Sequence, residues 1–299
     1  MPSWIFIVIA AHLLNAFAFL VDKFLLVQAM PNPAVYAFSV GMLGAVAFLA
    51  LPFQFVLPTG AQAVLDVAAG ATFVAALLFF FTALKRGEAS RIVPYVGGTI
   101  PVWTLIFAYL GLGERLLPNE LLAFGILVVG SALIAREPAG GTRRRARGAY
   151  AIASLAAIAF ALSTVLMKAV FETQPFLAGF VWSRAGAVIA AAALLLHPAT
   201  RRAIFRRSER PSSRKSLGLF IGGQVAGAVG FLALQYAVNL ASPTLVNALQ
   251  GVQYAFLFAF VFFFGRRFPQ FRERLTRPIV IQKIAALMVI AVGLALLAR

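Results

Sequence analysis

The sequence contains no cysteine and few charged residues. Without cysteine the chain can form no disulfide, hold no thiolate-bound metal and use no cysteine nucleophile. Charged residues make up 12% of the 299 residues, against about 25% in a soluble domain. Of the charged residues, 26 are Lys or Arg and 9 are acidic. A soluble fold of this composition would leave much of its apolar surface in water, so this class is excluded.

Long apolar runs fill most of the chain. Apolar residues account for 62% of it, and the runs approach the roughly 20 residues that a bilayer core requires. The sequence therefore predicts an all-α polytopic membrane protein with ten transmembrane helices. The predicted spans cover residues 3–28, 33–57, 62–84, 90–112, 117–136, 148–171, 175–196, 217–240, 243–265 and 279–298.

The chain divides into two halves with similar segments in the same order. Residues 1–136 hold five spans, residues 137–147 form a basic connector, and residues 148–299 hold the other five. An odd number of spans places the second half the other way up, which predicts an inverted repeat. Such repeats are typical of secondary transporters, with a binding site near the bilayer midplane. The matched segments are "AFLVDKFLL" (18–26) with "STVLMKAVF" (163–171), "ALKRGEASRIVPYVGG" (83–98) with "AVNLASPTLVNALQGV" (237–252), and "GILVVGSALIAR" (125–136) with "MVIAVGLALLAR" (288–299).

Positive charge is concentrated in the loops. The net charge of +17 would indicate a nucleic-acid partner in a soluble protein, but most basic residues lie between the predicted spans. There they face anionic lipid headgroups, and cytoplasmic loops carry the excess of Lys and Arg. The basic loops 136–148, 197–216 and 265–278 are therefore predicted to be cytoplasmic, with both termini outside. No nucleic-acid partner is expected.

The stretch "GEASRIVPYVGGTIPVWTLIFAYLGLGERLLPNELLAFGILVVGSALI" (87–134) resembles EamA-like members of the drug/metabolite transporter superfamily. The matching features are Pro94, Pro101, the "LGLGE" that ends at Glu114, and a following span with Gly125 and Gly130. The resemblance implies ten helices in two inverted five-helix repeats around a central cavity. It also implies export of small metabolites or drugs.

The ninth predicted span carries a polar stripe. Asn247, Gln250 and Tyr254 recur at steps of three and four, so they share one side of a helix, with Gln253 one step off it. Polar side chains in hydrocarbon need partners. Two interpretations stay open: the stripe lines a substrate cavity, or it joins helices by hydrogen bonds. Amides both donate and accept, which suits a neutral or zwitterionic solute.

The first predicted span carries a comparable stripe of His12, Asn15, Phe19 and Asp22. Histidine titrates near neutral pH and a carboxylate can relay a proton, so His12 and Asp22 are candidates for proton coupling. The alternatives are a packing role for His12 and an interfacial pair with Lys23 for Asp22. Asn15 and Phe19 are assigned to the substrate cavity.

Arg184 lies deep in the seventh span, where a central Arg costs at least about 2.5–3.5 kcal/mol to insert. Its charge requires carbonyls, a carboxylate such as Asp22, or an anionic group on the substrate. Lys23 and Lys168 end the first helix of each half, and with Arg184 they are the candidates for binding an anion. Arg184 is also predicted to share one cavity with the amide stripe of the ninth span.

The fourth span contains residues that weaken a helix, and the prediction for them is a helix break or a gate. These residues are Pro94, Gly97, Gly98 and Pro101. The glycines of the eighth span, by contrast, are interpreted as packing sites. Further residues assigned to the substrate cavity are Tyr95, Thr99, Trp103, Gln224 and Gln235.

The leading functional prediction is a secondary active transporter of an amino acid or a related neutral or zwitterionic solute, working by export. The alternative is a carrier or exchanger of phosphorylated or nucleotide-linked anions on the same fold. An enzyme is not expected, because the chain lacks Gly-x-Ser-x-Gly, His-Glu-x-x-His and a Gly-rich phosphate loop. No catalytic residue, metal or cofactor is predicted. The expected location is a bacterial-type inner membrane with anionic lipids at the basic loops, as a monomer or a homodimer.

Overall fold

The computed structural model describes residues 2–26, 32–87, 89–135, 143–205, 214–264 and 277–298. Within these ranges the chain forms helices and turns and contains no β-strand. The α-helices are α1 (Ser3–Leu26), α2 (Pro33–Leu43), α3 (Gly60–Arg86), α4 (Ala89–Leu112), α5 (Pro118–Ala135), α6 (Arg143–Thr173), α7 (Phe176–Ala193), α8 (Pro198–Phe205), α9 (Arg214–Leu240), α10 (Pro243–Ala248), α11 (Gln250–Phe264) and α12 (Arg277–Leu297).

Ten helical segments of the described ranges are long and apolar enough to cross a bilayer. They coincide with the ten predicted spans, and most of their ends agree within a few residues. The predicted all-helical architecture with ten spans is therefore confirmed. The short helix α8 is the exception among the α-helices, because it lies between the seventh and eighth spans.

Several helices begin at residues whose side chains satisfy the free backbone N–H groups of a first turn. Asn32 accepts from the backbone of α2, and Thr59 and Gln62 form a reciprocal capping box at the start of α3. Ser242 caps α10, where Pro243 occupies the first helical position. Proline loses nothing at that position, since the N–H it lacks would have no partner. The sequence signals for these starts are thus local.

The second span changes its helix type halfway. It is α-helical over Pro33–Leu43 and continues as a 3-10 helix over Gly44–Phe53, which contains Pro52. Proline cannot donate a backbone hydrogen bond and its ring crowds the preceding turn of an α-helix. A 3-10 helix is a tighter winding that seldom persists for more than a few residues. Nothing in the sequence analysis predicted this change.

The break predicted for the fourth span is absent, because α4 is continuous from Ala89 to Leu112 with Pro94 and Pro101 inside it, while the alternative of a gate stays a prediction. The hydroxyl groups of Thr99 and Thr104 each donate to a carbonyl one turn earlier in the same helix, those of Tyr95 and Ile100. The interruption lies in the ninth span instead. There α10 and α11 are separated at Leu249.

The helices form two compact units, each of which contains spans from both halves of the sequence. The first unit contains α1, α5 and α9–α12. Within it α1 packs along α9 and α11, and α5 packs along α12. The predicted packing role of the eighth-span glycines is confirmed where α9 meets α1, since a Cβ on Gly223 would lie 2.6 Å from Val21 and one on Gly227 would lie 3.3 Å from Ala18.

The second unit contains α2–α4 and α6–α8. In this unit α3 packs against α6 and α7, while α4 packs against α6 and α2 against α3 and α7. The backbones of α3 and α7 meet closely at Gly70 and Gly186. A Cβ on Gly186 would lie 2.6 Å from the Cα of Val67, and a Cβ on Gly70 would collide with the backbone of Ser183 and Ala187. Only glycine fits at such a crossing.

The helix pairs within the two units correspond to each other. In the first unit the first span packs on the eighth and ninth, and in the second unit the sixth span packs on the third and fourth. If the chain repeats after five spans, the first span corresponds to the sixth, the eighth to the third and the ninth to the fourth, so the same pairs of spans pack together in both units. The pairing favours the predicted repeat, while its boundaries at 1–136 and 148–299, and its inverted topology, stay predictions.

Candidate functional site

Each unit holds its own group of polar side chains inside the spans. In the first unit, His12 of α1 is 1% exposed and its Nδ1 lies 3.3 Å from Oε1 of Gln253 on α11. Gln250, at the first residue of α11, donates from Nε2 to the same oxygen at 3.0 Å. His12 of the first span and Gln250 of the ninth span thus share one partner, the side-chain oxygen of Gln253.

The predicted stripe of α1 does not lie in one environment. Asn15 is held against Gly230 of α9, whereas Phe19 is 38% exposed. The side chains of Asp22 and Lys23 lie outside the described residues, and so do their predicted roles.

The other predicted cavity residues of the first unit come from α9, α10 and α11. Gln235 of α9 is buried. Asn247 and Gln250 flank the break at Leu249. The half-buried residues of this set are Gln224, Asn247, Gln250 and Tyr254.

In the second unit, Arg184 of α7 is buried at 5% exposure within its span. Its guanidinium carbon lies 4.9 Å from the ring centre of Phe73 on α3 and 5.6 Å from that of Phe180. Aromatic faces attract a cation, and the attraction is stronger where water is absent. Carbonyls, a carboxylate or a substrate anion were the compensating groups expected from the sequence, and the aromatic rings are further partners that the sequence did not predict.

These rings belong to a longer chain of aromatic contacts inside the second unit. Phe73 contacts Phe160 of α6 at 6.2 Å, and Phe160 contacts Phe80 of α3 at 6.1 Å. Phe180, the other ring near the guanidinium, stacks on Phe176 at 6.1 Å. Aromatic contacts therefore extend from the two rings near the buried cation over three helices, α3, α6 and α7.

The predicted cavity residues of α4 take part in packing between α4 and α6. The hydroxyl of Tyr95 lies 2.8 Å from that of Ser154, and its ring meets Tyr150 edge-on. Thr99 donates to the carbonyl of Tyr95 within the helix, and Trp103 stacks on Phe107. These contacts support helix packing, and lining of a cavity by these residues stays a prediction.

Lys168 and Arg184 were both proposed as anion-binding groups. Nζ of Lys168 lies 3.9 Å from Glu172, one turn further along α6. Arg184 belongs to the second unit and the amide stripe of the ninth span to the first. The prediction that they line one cavity stays a prediction.

Asp66 is a buried polar residue that the sequence analysis missed. It is 1% exposed within α3, and Nε2 of Gln174, in the turn between α6 and α7, lies 3.1 Å from both carboxylate oxygens. The signal was present, because Asp66 is the one acidic residue in the predicted span 62–84. Ionisable residues inside a span are functional candidates in general. Its partner Gln174 carries no comparable signal.

Comparison with known proteins connects this fold to a family. Residues 2–136 match the model of the EamA-like transporter family. A crystal structure of another protein is similar to this chain with a TM-score of 0.69 and 19% sequence identity, over 98% of this chain and 96% of that one. At this identity the likeness shows the fold alone. No curated protein matches the sequence significantly. Residues 2–136 therefore match the EamA-like transporter family, which belongs to the drug/metabolite transporter superfamily, and the described residues form ten helices long and apolar enough to cross a membrane.

Proposed function

We propose that the protein exports an amino acid or a related neutral or zwitterionic solute by alternating access. The observation that carries the proposal is the group of His12, Gln250 and Gln253 inside the first unit. It is built from two neutral amides and an imidazole, with no charged side chain among the three. Such a group matches a solute that presents donors and acceptors together.

The chemistry of the group distinguishes solute classes. A bare cation would be expected to select carboxylates and a phosphate to select several basic residues, because a desolvated charge needs a partner of opposite sign. Neutral amides satisfy an ammonium and a carboxylate equally well, since each amide offers two N–H donors and a carbonyl acceptor. The break at Leu249 supports a binding role, because interrupted helices often form the binding sites of transporters.

The second candidate is a carrier of phosphorylated or nucleotide-linked anions. Buried Arg184 favours it, because guanidinium groups pair with phosphate oxygens in a bidentate geometry. In this case Lys23 and Lys168 would add positive charge at helix ends. The aromatic rings around Arg184 already compensate part of its charge, and this is the reason for ranking the anion carrier second.

Orientation is part of the proposal. We place the basic loops in the cytoplasm and both termini outside, in a bacterial-type inner membrane. Arg201 and Arg202 of α8 are exposed, in the connection between the seventh and eighth spans. Exposed Arg side chains at a membrane surface attract anionic lipids.

A thermal-stability screen of the detergent-purified protein tests the substrate class. A solute that binds the folded state raises the melting temperature by mass action. We expect stabilisation by neutral amino acids such as L-leucine and L-phenylalanine, followed by their exchange in proteoliposomes. Stabilisation by sugar phosphates or nucleotides alone would reject the proposal and support the anion carrier.

A further inference from the structure

The imidazole of His12 has two nitrogens in different situations. Nδ1 faces Oε1 of Gln253 at 3.3 Å, and this oxygen also accepts a hydrogen bond from Gln250 at 3.0 Å. A carbonyl oxygen can only accept, so Nδ1 of His12 must carry the proton in this contact. In the neutral ring the second nitrogen, Nε2, then holds a free lone pair and acts as an acceptor.

Nε2 of His12 is buried and has no hydrogen-bond partner among the residues that the structure describes. Buried polar atoms without partners are rare in folded proteins, and a bound ligand is one of the reasons for them. The amides of α11 thus determine the tautomer of the His12 ring. By fixing the proton on Nδ1 they leave an acceptor on Nε2.

A second acceptor without a partner lies in the same unit. Oε1 of Gln235 on α9 is buried and has no partner among the described residues. The contacts of Gly223 with Val21, Gly227 with Ala18 and Gly230 with Asn15 show that α9 runs antiparallel to α1.

This register places Gln235 toward the same end of the helix pair as His12. Two acceptors on neighbouring helices match a ligand group that carries several donors, and a primary ammonium group has three.

From this geometry we infer that Nε2 of His12 accepts a hydrogen bond from the primary ammonium group of the transported solute. Gln253 and Gln250 are positioning residues that hold the ring in the tautomer with the proton on Nδ1. Gln235 is a second acceptor for the same ammonium group. The inference deepens the proposed function and rests on it for the identity of the solute.

Histidine-selective ¹⁵N NMR tests the tautomer without any substrate. The chain has two histidines, and the exposed His197 lies before α8. His197→Asn therefore leaves a single histidine signal set. At pH 7.5 we expect a protonated Nδ1 and an unprotonated Nε2, and we expect Gln253→Leu to mix the two tautomers. A proton on Nε2, in either the other tautomer or an imidazolium, would overturn the inference.

Binding measurements test the ammonium contact. The probes are L-leucine, L-phenylalanine and their analogues without the amine, 4-methylpentanoate and 3-phenylpropanoate. His12→Asn keeps an N–H near the position of Nδ1 and removes Nε2, so we expect it to weaken amino-acid binding by roughly 10- to 100-fold, the range for a hydrogen bond to a charged group. Binding of either carboxylate analogue, if detectable, should change little. His197→Asn is the matched control and should leave all four probes unaffected.

His12→Gln provides a second variant should His12→Asn fold poorly. Its longer side chain carries an amide oxygen near the position of Nε2, so we expect it to recover part of the preference for amino acids over the amine-free analogues. If both variants bind amino acids like the parent protein, the inference is wrong while the proposed function stands. If the parent protein binds no amino acid, the proposed function fails, and the NMR result alone then decides the tautomer.

Discussion

Polar side chains inside the spans differ mainly in which groups offset the free-energy cost of removing them from water. Asp66 receives an amide N–H on both of its oxygens, whereas the guanidinium of Arg184 lies near the rings of Phe73 and Phe180. The amide N–H lowers the cost of the buried carboxyl group, and the rings lower part of the cost of the buried guanidinium. The partners come from other helices or from a turn, and Phe180 alone lies on the same helix as the residue it contacts. The residue type therefore predicts that burial inside a span costs free energy, while helix packing decides which partner offsets that cost.

Gln174→Leu tests the contribution of the contact with Asp66. Removing the amide leaves a buried carboxyl group without its donor, which costs about 1–3 kcal/mol of stability. We expect a clearly lower melting temperature in detergent. Gln282→Leu is the matched control, because Gln282 of α12 donates from Nε2 to the neutral carbonyl of Leu133 at 2.9 Å. Equal melting temperatures for the two variants would contradict a special role of the buried pair.

At the scale of helices, proline and glycine act according to their surroundings. α4 contains two prolines and stays continuous, whereas the ninth span is interrupted at Leu249 without any proline or glycine at that residue. A Cβ on Gly98 would meet no atom within 4 Å, while Gly70 sits at the crossing of α3 and α7. The same residue type is therefore essential at one helix contact and replaceable at another.

Paired glycine substitutions test this difference. Gly70→Ala pushes a methyl group into the backbone of α7, and overpacking of this kind costs about 1–3 kcal/mol or more. Gly98→Ala places its methyl group in open space and gains about 0.5–1 kcal/mol of helix propensity. We expect the first variant to lower the melting temperature strongly and the second to keep or raise it. A destabilised Gly98→Ala variant would instead support a required flexibility in α4.

At the scale of the whole molecule, consecutive membrane-spanning helices run in opposite directions, so the side of one loop fixes the side of all the others. Because the chain has no native cysteine, single cysteines report orientation directly. A membrane-impermeant maleimide added to intact cells should label Ser3→Cys and spare Ser212→Cys, which lies in a basic loop. The reverse pattern would place both termini in the cytoplasm and reject the orientation inferred from charge.

Energy coupling also belongs to the whole molecule, because it relates solute movement to an ion gradient. If Asp22 relays protons, Asp22→Asn should abolish uptake driven by a pH gradient and spare exchange of internal for external solute. His12→Asn should reduce both, since His12 is assigned to the solute itself. Gradient-driven uptake that survives in Asp22→Asn would remove this residue from the coupling mechanism.

The sequence alone determined the class of helical membrane protein and the ten candidate spans, because a bilayer requires long apolar helices and local composition reveals them. It also contained the motifs of residues 2–136 that match the EamA-like transporter family. Caps such as Thr59 and Ser242 were equally local. Tertiary structure decided which spans pack together, where the ninth span is interrupted, and that His12 meets Gln253 across 241 residues of chain. These contacts depend on how helix surfaces fit one another, and the period of a single helix contains no information about the partner it will meet.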